Sequence, residues 1–121
     1  ETVSHTMARA CWFMWRYPEC YEKVLAEVEK FLPDENNITL EAINKMDYTL
    51  GFFKECMRYA SPIALLFPRE TVNDIDIDGV KISKGTLVSV PTCVCHRDER
   101  TYEEPNKFVP ERWVIGSDWY E

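Results

Sequence analysis

The chain has 121 residues, of which 45% are hydrophobic and 13% aromatic, and its formal net charge is −7. This length and apolar content suffice for one globular unit that buries about two-thirds of the surface its unfolded chain exposes. The acidic balance argues against a nucleic-acid-binding surface, and no apolar run is long enough to cross a bilayer. Five cysteines form an odd set, which favours reduced thiols over a disulfide framework.

The first two predicted elements are helices that meet at Pro18. Residues 7–17 (MARACWFMWRY) are apolar nearly all round, which is typical of a helix inside a large core, and Pro18 ends it. After Pro18, apolar residues recur at helical spacing and predict an amphipathic surface helix. Its apolar positions are Tyr21, Val24, Leu25, Val28, Phe31 and Leu32, and its solvent-facing positions are Glu22, Lys23, Glu27, Glu29 and Lys30.

Two further helices are predicted before the middle of the chain. Residues 34–38 (DENNI) predict a turn, and Thr39 is a suitable N-cap for a short helix. Asp47 is a suitable N-cap for a longer helix that runs to the break at Pro62.

The second half changes to the two-residue period of strands, punctuated by turns at Asp78-Gly79 and at Lys84-Gly85. The strand residues are Ile75, Ile77, Val80, Ile82, Leu87, Val88 and Val90. Cys93 and Cys95 are expected on one face of a strand, but zinc needs more ligands than they supply, so no metal site is predicted. The predicted fold class is mainly α with a small antiparallel sheet (α+β).

A charged pair lies inside the longest predicted helix of the middle region. Glu55 and Arg58 are one turn apart and are surrounded by apolar side chains. On a solvated face such a pair would contribute only about 0.2–0.5 kcal/mol. A buried pair needs a further partner for its remaining donors and acceptors, and Arg112 in FVPERW is the candidate. The sequence therefore predicts one buried network of Glu55, Arg58 and Arg112.

Three short motifs of the chain together resemble those of a known protein family. KECMR at 54–58, HRD at 96–98 and FVPERW at 108–113 are, in this order and at these separations, similar to the E-x-x-R to P-E-R-F region of the cytochrome P450 haem-thiolate monooxygenases. The resemblance covers essentially residues 1–121 and is greatest to the microsomal, eukaryotic type. It implies a segment of a single cytochrome P450 domain, with the end of the central helix, the following helices, a small sheet and the meander. The implied reaction inserts one oxygen atom from O2 into an apolar organic substrate.

The resemblance also implies roles for individual residues. Glu55, Arg58 and Arg112 match the salt-bridged triad that fixes the haem-binding core. Glu1 and Thr2 match the acid–alcohol pair of the central helix, where a hydroxyl beside a carboxylate suits proton delivery. The alternative for Thr2 is an ordinary residue at a helix start.

A second group of implied residues concerns the substrate and the haem. Arg69 matches an arginine that pairs with a haem propionate, although a plain surface arginine remains an alternative. The segment that matches the substrate-lining stretch consists of Ile63, Ala64, Leu65, Leu66 and Phe67.

The resemblance implies haem b as cofactor, with electrons from NADPH delivered by a flavoprotein reductase or a ferredoxin. Residues 1–121 contain no F-x-x-G-x-x-x-C-x-G loop, so the cysteine ligand of the iron is expected elsewhere in a longer P450 chain, and residues 1–121 alone are expected to be inactive. The implied location is the cytosolic face of the endoplasmic reticulum membrane. The rival interpretation is a non-catalytic α+β interaction domain that kept this fold and lost the haem.

Three departures from the family pattern accompany the resemblance. Val3 stands where threonine or serine is usual, and YASP at 59–62 is one residue longer than the common helix exit. Trp113 stands where phenylalanine usually ends the P-E-R-F motif.

Overall fold

The structure, a computed structural model, describes residues 1–34, 36 and 38–119. The first half is helical, with α1 at Thr2–Arg16, α2 at Pro18–Phe31, α3 at Leu40–Ile43 and α4 at Asp47–Tyr59. The second half contains the strands β1 at Arg69–Glu70, β2 at Ile75–Ile77, β3 at Val80–Ile82 and β4 at Leu87–Val88. Helix α5 at Thr92–Cys95 and a 3-10 helix at Pro110–Trp113 follow the strands.

Helix α1 begins at Thr2, earlier than the periodicity predicted, and ends at Arg16, so that a non-helical Tyr17 separates it from Pro18. Its buried residues are Ala10 and Phe13, on the side that contacts α2 and α4. The prediction that α1 is surrounded by core is not met within the described part of the chain, because Trp12 and Trp15 are 52% and 76% exposed. The outer face of α1 is therefore an apolar surface.

The helix starts show one correct and one wrong cap prediction. Thr39 caps α3 as predicted, since its Oγ1 accepts a hydrogen bond from Ala42 N. Asp47 does not occupy the capping position of α4, which belongs to Met46. The predicted turn at 34–38 includes Glu35 and Asn37, which lie outside the described residues.

The strands form two separate antiparallel ladders rather than one sheet. Strands β2 and β3 make the predicted hairpin, with Asp78 at φ 51° and Gly79 at φ 84° in its turn. Positive φ at both central residues is what a two-residue hairpin turn of this hand requires. Strand β4 pairs with β1, which the sequence did not predict, and Arg69 lies opposite Val88. The mainly α fold with small antiparallel ladders is confirmed.

Cys93 and Cys95 lie in helix α5, so their placement on a strand was wrong. The Pro91 carbonyl accepts hydrogen bonds from Val94 N and Cys95 N, and the chain therefore turns directly after the proline. Both cysteines are exposed.

The core lies between α1, α2 and α4. Its buried residues are Ala10, Phe13, Cys20, Val24, Phe52 and Cys56. Phe108 packs onto this cluster from the second half of the chain, with its ring stacked on Phe13 at a centroid distance of 4.3 Å. Helix α4 also lies very close to the 3-10 helix. A Cβ added at Gly51 would lie only 2.9 Å from Pro110 O, so only glycine fits at this position. The segment around residue 108 is thus fixed against α4.

Candidate functional site

The buried charged pair of α4 is the centre of the candidate site. Glu55 is 0% exposed and Arg58 is 3% exposed. Arg58 Nε donates to Glu55 Oε2 at 2.8 Å, and Arg58 Nη2 donates to Glu55 Oε1 at 2.7 Å. One turn of helix brings the two side chains together, and the planar guanidinium then meets the carboxylate in a two-pronged contact.

Arg58 uses its other donors on backbone carbonyls of the second half. Nη1 donates to His96 O at 2.7 Å and to Pro105 O at 2.8 Å, and Nη2 donates to Lys107 O at 2.9 Å. A guanidinium has five N–H groups, so the five contacts of Arg58 satisfy all of them. Arg58 therefore connects α4 to the irregular segment 96–107.

Glu55 receives donors from the end of that segment. Val109 N donates to Oε1 and Trp113 Nε1 donates to Oε2, each at 2.9 Å. Arg112 Nε lies 3.4 Å from Glu55 Oε1, which is within ion-pair distance but too long for a well-formed hydrogen bond. This explains why the buried Arg112 Nε has no hydrogen-bond partner in the described part of the chain. The structure thus brings Glu55, Arg58 and Arg112 together.

Arg112 is held from two further directions. Its Nη2 donates to Glu104 O at 2.9 Å, and its guanidinium lies over the Trp119 ring, 4.8 Å from the centroid. A guanidinium over an aromatic face is a favourable cation–π contact. Arg112 therefore links Glu55 to the segment that follows the 3-10 helix.

Trp113 is a member of this cluster that sequence reasoning noted as an aromatic anchor and as a departure from P-E-R-F, but not as a hydrogen-bond donor to Glu55. Phenylalanine has no polar atom, whereas the indole N–H is a donor that usually finds a partner when it is buried. The signal in the sequence was therefore the tryptophan itself, which directly follows Arg112, the predicted partner of the buried Glu55.

Cys56 adjoins the cluster but remains a thiol. Burial, followed by the negative charge of Glu55, raises the pKa of Cys56 to about 12. Burial also raises the pKa of the Cys20 thiol. A protonated, buried thiol is a poor nucleophile and a poor metal ligand. Among the described residues, no group of three or more histidine, cysteine, aspartate or glutamate side chains is arranged to hold a metal ion.

Glu1 and Thr2 lie at the exposed N-terminal end of α1. Glu1 precedes the helix without a side-chain capping bond, and its carbonyl accepts hydrogen bonds from Ser4 Oγ and His5 N. Thr2 is the first residue of the helix. Its carbonyl accepts a hydrogen bond from Thr6 Oγ1 at 3.0 Å.

The predicted substrate-lining segment and Arg69 form one exposed stretch, separate from the buried triad. Within residues 63–67 exposure reaches 79% at Phe67. The segment is fixed from behind, because Thr92 Oγ1 donates to Ile63 O at 2.6 Å and Leu66 N donates to Val90 O at 3.0 Å. Sequence reasoning missed Thr92, since a threonine after a proline gives no sign of a partner so far back in the chain.

Comparison with known proteins settles the family. The sequence profile described as cytochrome P450 matches residues 1–116. The chain belongs to the cytochrome P450 family. Cytochrome P450 71A8 of Mentha piperita is 36% identical over 117 residues, which cover 97% of this chain and 23% of that protein. Cytochrome P450 3A6 of Oryctolagus cuniculus is 34% identical over 113 residues, which cover 93% of this chain and 22% of that protein.

Solved cytochrome P450 structures share the fold. A zebra fish cytochrome P450 with progesterone superposes with a TM-score of 0.88 at 26% identity and covers 95% of this chain and 27% of that chain. Retinoic acid bound cyanobacterial CYP120A1 superposes with a TM-score of 0.86 at 28% identity and covers 98% of this chain and 26% of that chain. The partial cytochrome P450 fold is confirmed, and the chain spans between one fifth and one third of these proteins.

Proposed function

We propose that residues 1–121 belong to a haem-dependent monooxygenase that inserts one oxygen atom from O2 into an apolar organic substrate. The observation that supports this most is the buried cluster of Glu55, Arg58 and Arg112 within a chain of the cytochrome P450 family. The cluster joins helix α4 to the distant segment 96–113, and a haem-binding core would need these two parts of the chain to be fixed to each other. We propose that this triad fixes that core.

The residues of the exposed stretch suit haem and an apolar substrate. Haem is an apolar plane with two carboxylates, and the stretch 63–69 presents exposed apolar side chains together with the exposed guanidinium of Arg69. We propose that Arg69 binds a haem propionate, as guanidinium–carboxylate geometry favours, and that residues 63–67 line the substrate pocket. When bound, haem would supply the activation of O2.

The first experiment tests whether the full-length protein that carries residues 1–121 is a haem-thiolate protein. Reduced under carbon monoxide, it should absorb at about 450 nm, the wavelength in the family's name, because thiolate ligation sets the electronics of the iron. Residues 1–121 expressed alone with haem should lack this band. A full-length protein without the band would favour the rival function, a non-catalytic interaction domain.

The proposed partners follow from the family. Electrons would come from NADPH through a flavoprotein reductase or a ferredoxin, and the rest of the P450 chain would cover the apolar outer face of α1. The proposed location is the cytosolic face of the endoplasmic reticulum membrane. Within the described residues, no helix is both long and apolar enough to span a bilayer.

Thr2→Ala should uncouple oxygen consumption from product formation in the full-length protein. We propose that the Thr2 hydroxyl, with Glu1 on the solvent side, passes protons to the reaction, and Val3 offers no hydroxyl to replace it. If protons arrive late, partly reduced oxygen escapes as hydrogen peroxide. Folding should change little, because one hydroxyl contributes about 0.5–1.5 kcal/mol.

The measurement compares product, hydrogen peroxide and NADPH consumption for each variant. Thr2→Ser should retain most of the coupling. Thr6→Ala is the matched control on the same helix, because it also removes a threonine hydroxyl near the start of α1. A Thr2→Ala variant as tightly coupled as the unmodified protein would show that Thr2 is only a residue of the helix start.

A further inference from the structure

Helix α4 carries both members of the buried pair, yet it begins without a capping side chain of its own. Met46 is the residue at the N-cap position of α4, and its side chain makes no capping hydrogen bond. The first amides of a helix have no partner within the helix, and a methionine offers them no oxygen. The amides of the first turn of α4 therefore need an acceptor from another part of the chain.

Glu27 on α2 supplies that acceptor, although the sequence predicted it on the solvent-facing side. Its Oε1 accepts a hydrogen bond from Tyr48 N at 2.9 Å. Its Oε2 accepts hydrogen bonds from Thr49 N and from Thr49 Oγ1, each at 2.7 Å. A carboxylate at a helix N-terminus is favoured both by charge-assisted hydrogen bonds and by the helix dipole.

One turn earlier on α2, Lys23 contacts the other element that supplies the triad. Lys23 Nζ donates to Glu111 Oε1 at 2.6 Å, and Glu111 belongs to the same 3-10 helix as Arg112. Lys23 is 53% exposed, so this ion pair adds little stability. Helix α2 thus contacts both α4 and the 3-10 helix, the two elements that meet at Glu55. Glu27 accepts three hydrogen bonds, whereas Lys23 donates one.

We propose that Glu27 is a positioning residue for the buried cluster. Its carboxylate replaces the N-cap that α4 lacks and fixes α4 along its axis, so that Glu55 and Arg58 meet Arg112 and Trp113. This inference goes beyond the proposed monooxygenase function and does not depend on it, because it concerns how α4 is held and is tested without turnover.

Glu27→Gln in the full-length protein tests the capping contact, with Glu29→Gln as the control from an exposed position on the same helix. Glutamine keeps the size of the side chain but loses the charge and one of the two acceptor oxygens. The ratio of unfolded to folded protein should rise about fivefold in urea titrations for Glu27→Gln and stay unchanged for Glu29→Gln. Equal stability of the two variants would overturn the proposal.

Thr49→Val provides a milder second variant, since it removes only the hydroxyl contact to Glu27. It replaces Glu27→Gln in the stability measurement if the Glu27→Gln protein cannot be produced in folded form. The double variant Glu27→Gln with Thr49→Val should lose less stability than the sum of the two single variants, because both changes remove the same contact. Full additivity would argue against a direct contact between the two side chains.

A spectroscopic measurement separates positioning from simple stabilisation. The Trp113 indole N–H donates to Glu55 near the far end of α4, and its proton resonance can be followed in protein labelled with nitrogen-15 tryptophan. Trp113→Phe assigns the signal. In the folded protein, Glu27→Gln should shift this resonance and Glu29→Gln should not. A signal that stays in place while stability falls would show that Glu27 stabilises α4 without positioning the cluster.

Discussion

Arg58→Lys should leave the full-length protein without a folded, haem-containing form. Arg58 makes two hydrogen bonds to Glu55 and three to the carbonyls of His96, Pro105 and Lys107. Lysine has three donors at one point and cannot reproduce the planar fork. Glu55 would keep its buried charge without the two-pronged contact, and the loss should approach the roughly 3–5 kcal/mol that follows when a buried pair loses one partner. That is a large share of the roughly 5–15 kcal/mol that stabilises a typical protein.

The measurement is the amount of soluble protein, its haem content and its urea midpoint. Arg100→Lys is the matched control, because Arg100 also pairs with a carboxylate, Asp98, but its side chain is 89% exposed. The control should behave like the unmodified protein. Normal haem incorporation in Arg58→Lys would mean that the buried pair does not hold the core together.

Phe108→Ala should give the second large loss of stability. Phe108 stacks on Phe13 and on Tyr17, with ring centroids at 4.3 and 5.1 Å. It also meets Phe52 edge to face at 5.7 Å. Removing a packed phenylalanine typically costs about 3–5 kcal/mol, and the half-buried position of Phe108 places the expected loss near the lower limit.

Chemical unfolding of the full-length protein measures this loss, with Phe108→Leu as the conservative comparison. Leucine keeps most of the apolar volume and should lose less stability than alanine, while the aromatic stacking disappears in both variants. If alanine and leucine both matched the unmodified protein, segment 105–113 would not depend on this aromatic contact for its position.

Short-range signals made several elements predictable. Pro18 starts α2, Thr39 caps α3, and Asp78-Gly79 forms the hairpin turn. Each of these depends on the local preferences of one or two residues, which do not depend on the rest of the chain.

The candidate site was predictable in part. Glu55 and Arg58 were recognised because one helical turn separates them and apolar side chains surround them. Arg112 was recognised because a buried pair needs another charged partner. The resemblance to cytochrome P450 placed these residues in one motif set, and the structure brings them into contact.

The sequence by itself determined the four helices of the first half, the tight hairpin, the charged pair and the family, because these depend on local backbone preference or on motifs at fixed spacing. Only the tertiary structure decided which distant groups meet. Glu22, Glu27 and Glu29 look alike on the polar face of α2, yet Glu27 caps α4 because the packing of the two helices brings the Tyr48 and Thr49 amides to it. Strand β4 pairs with β1 for the same kind of reason, since hydrogen-bonding backbone groups are identical along the chain and only the folded path selects their partners.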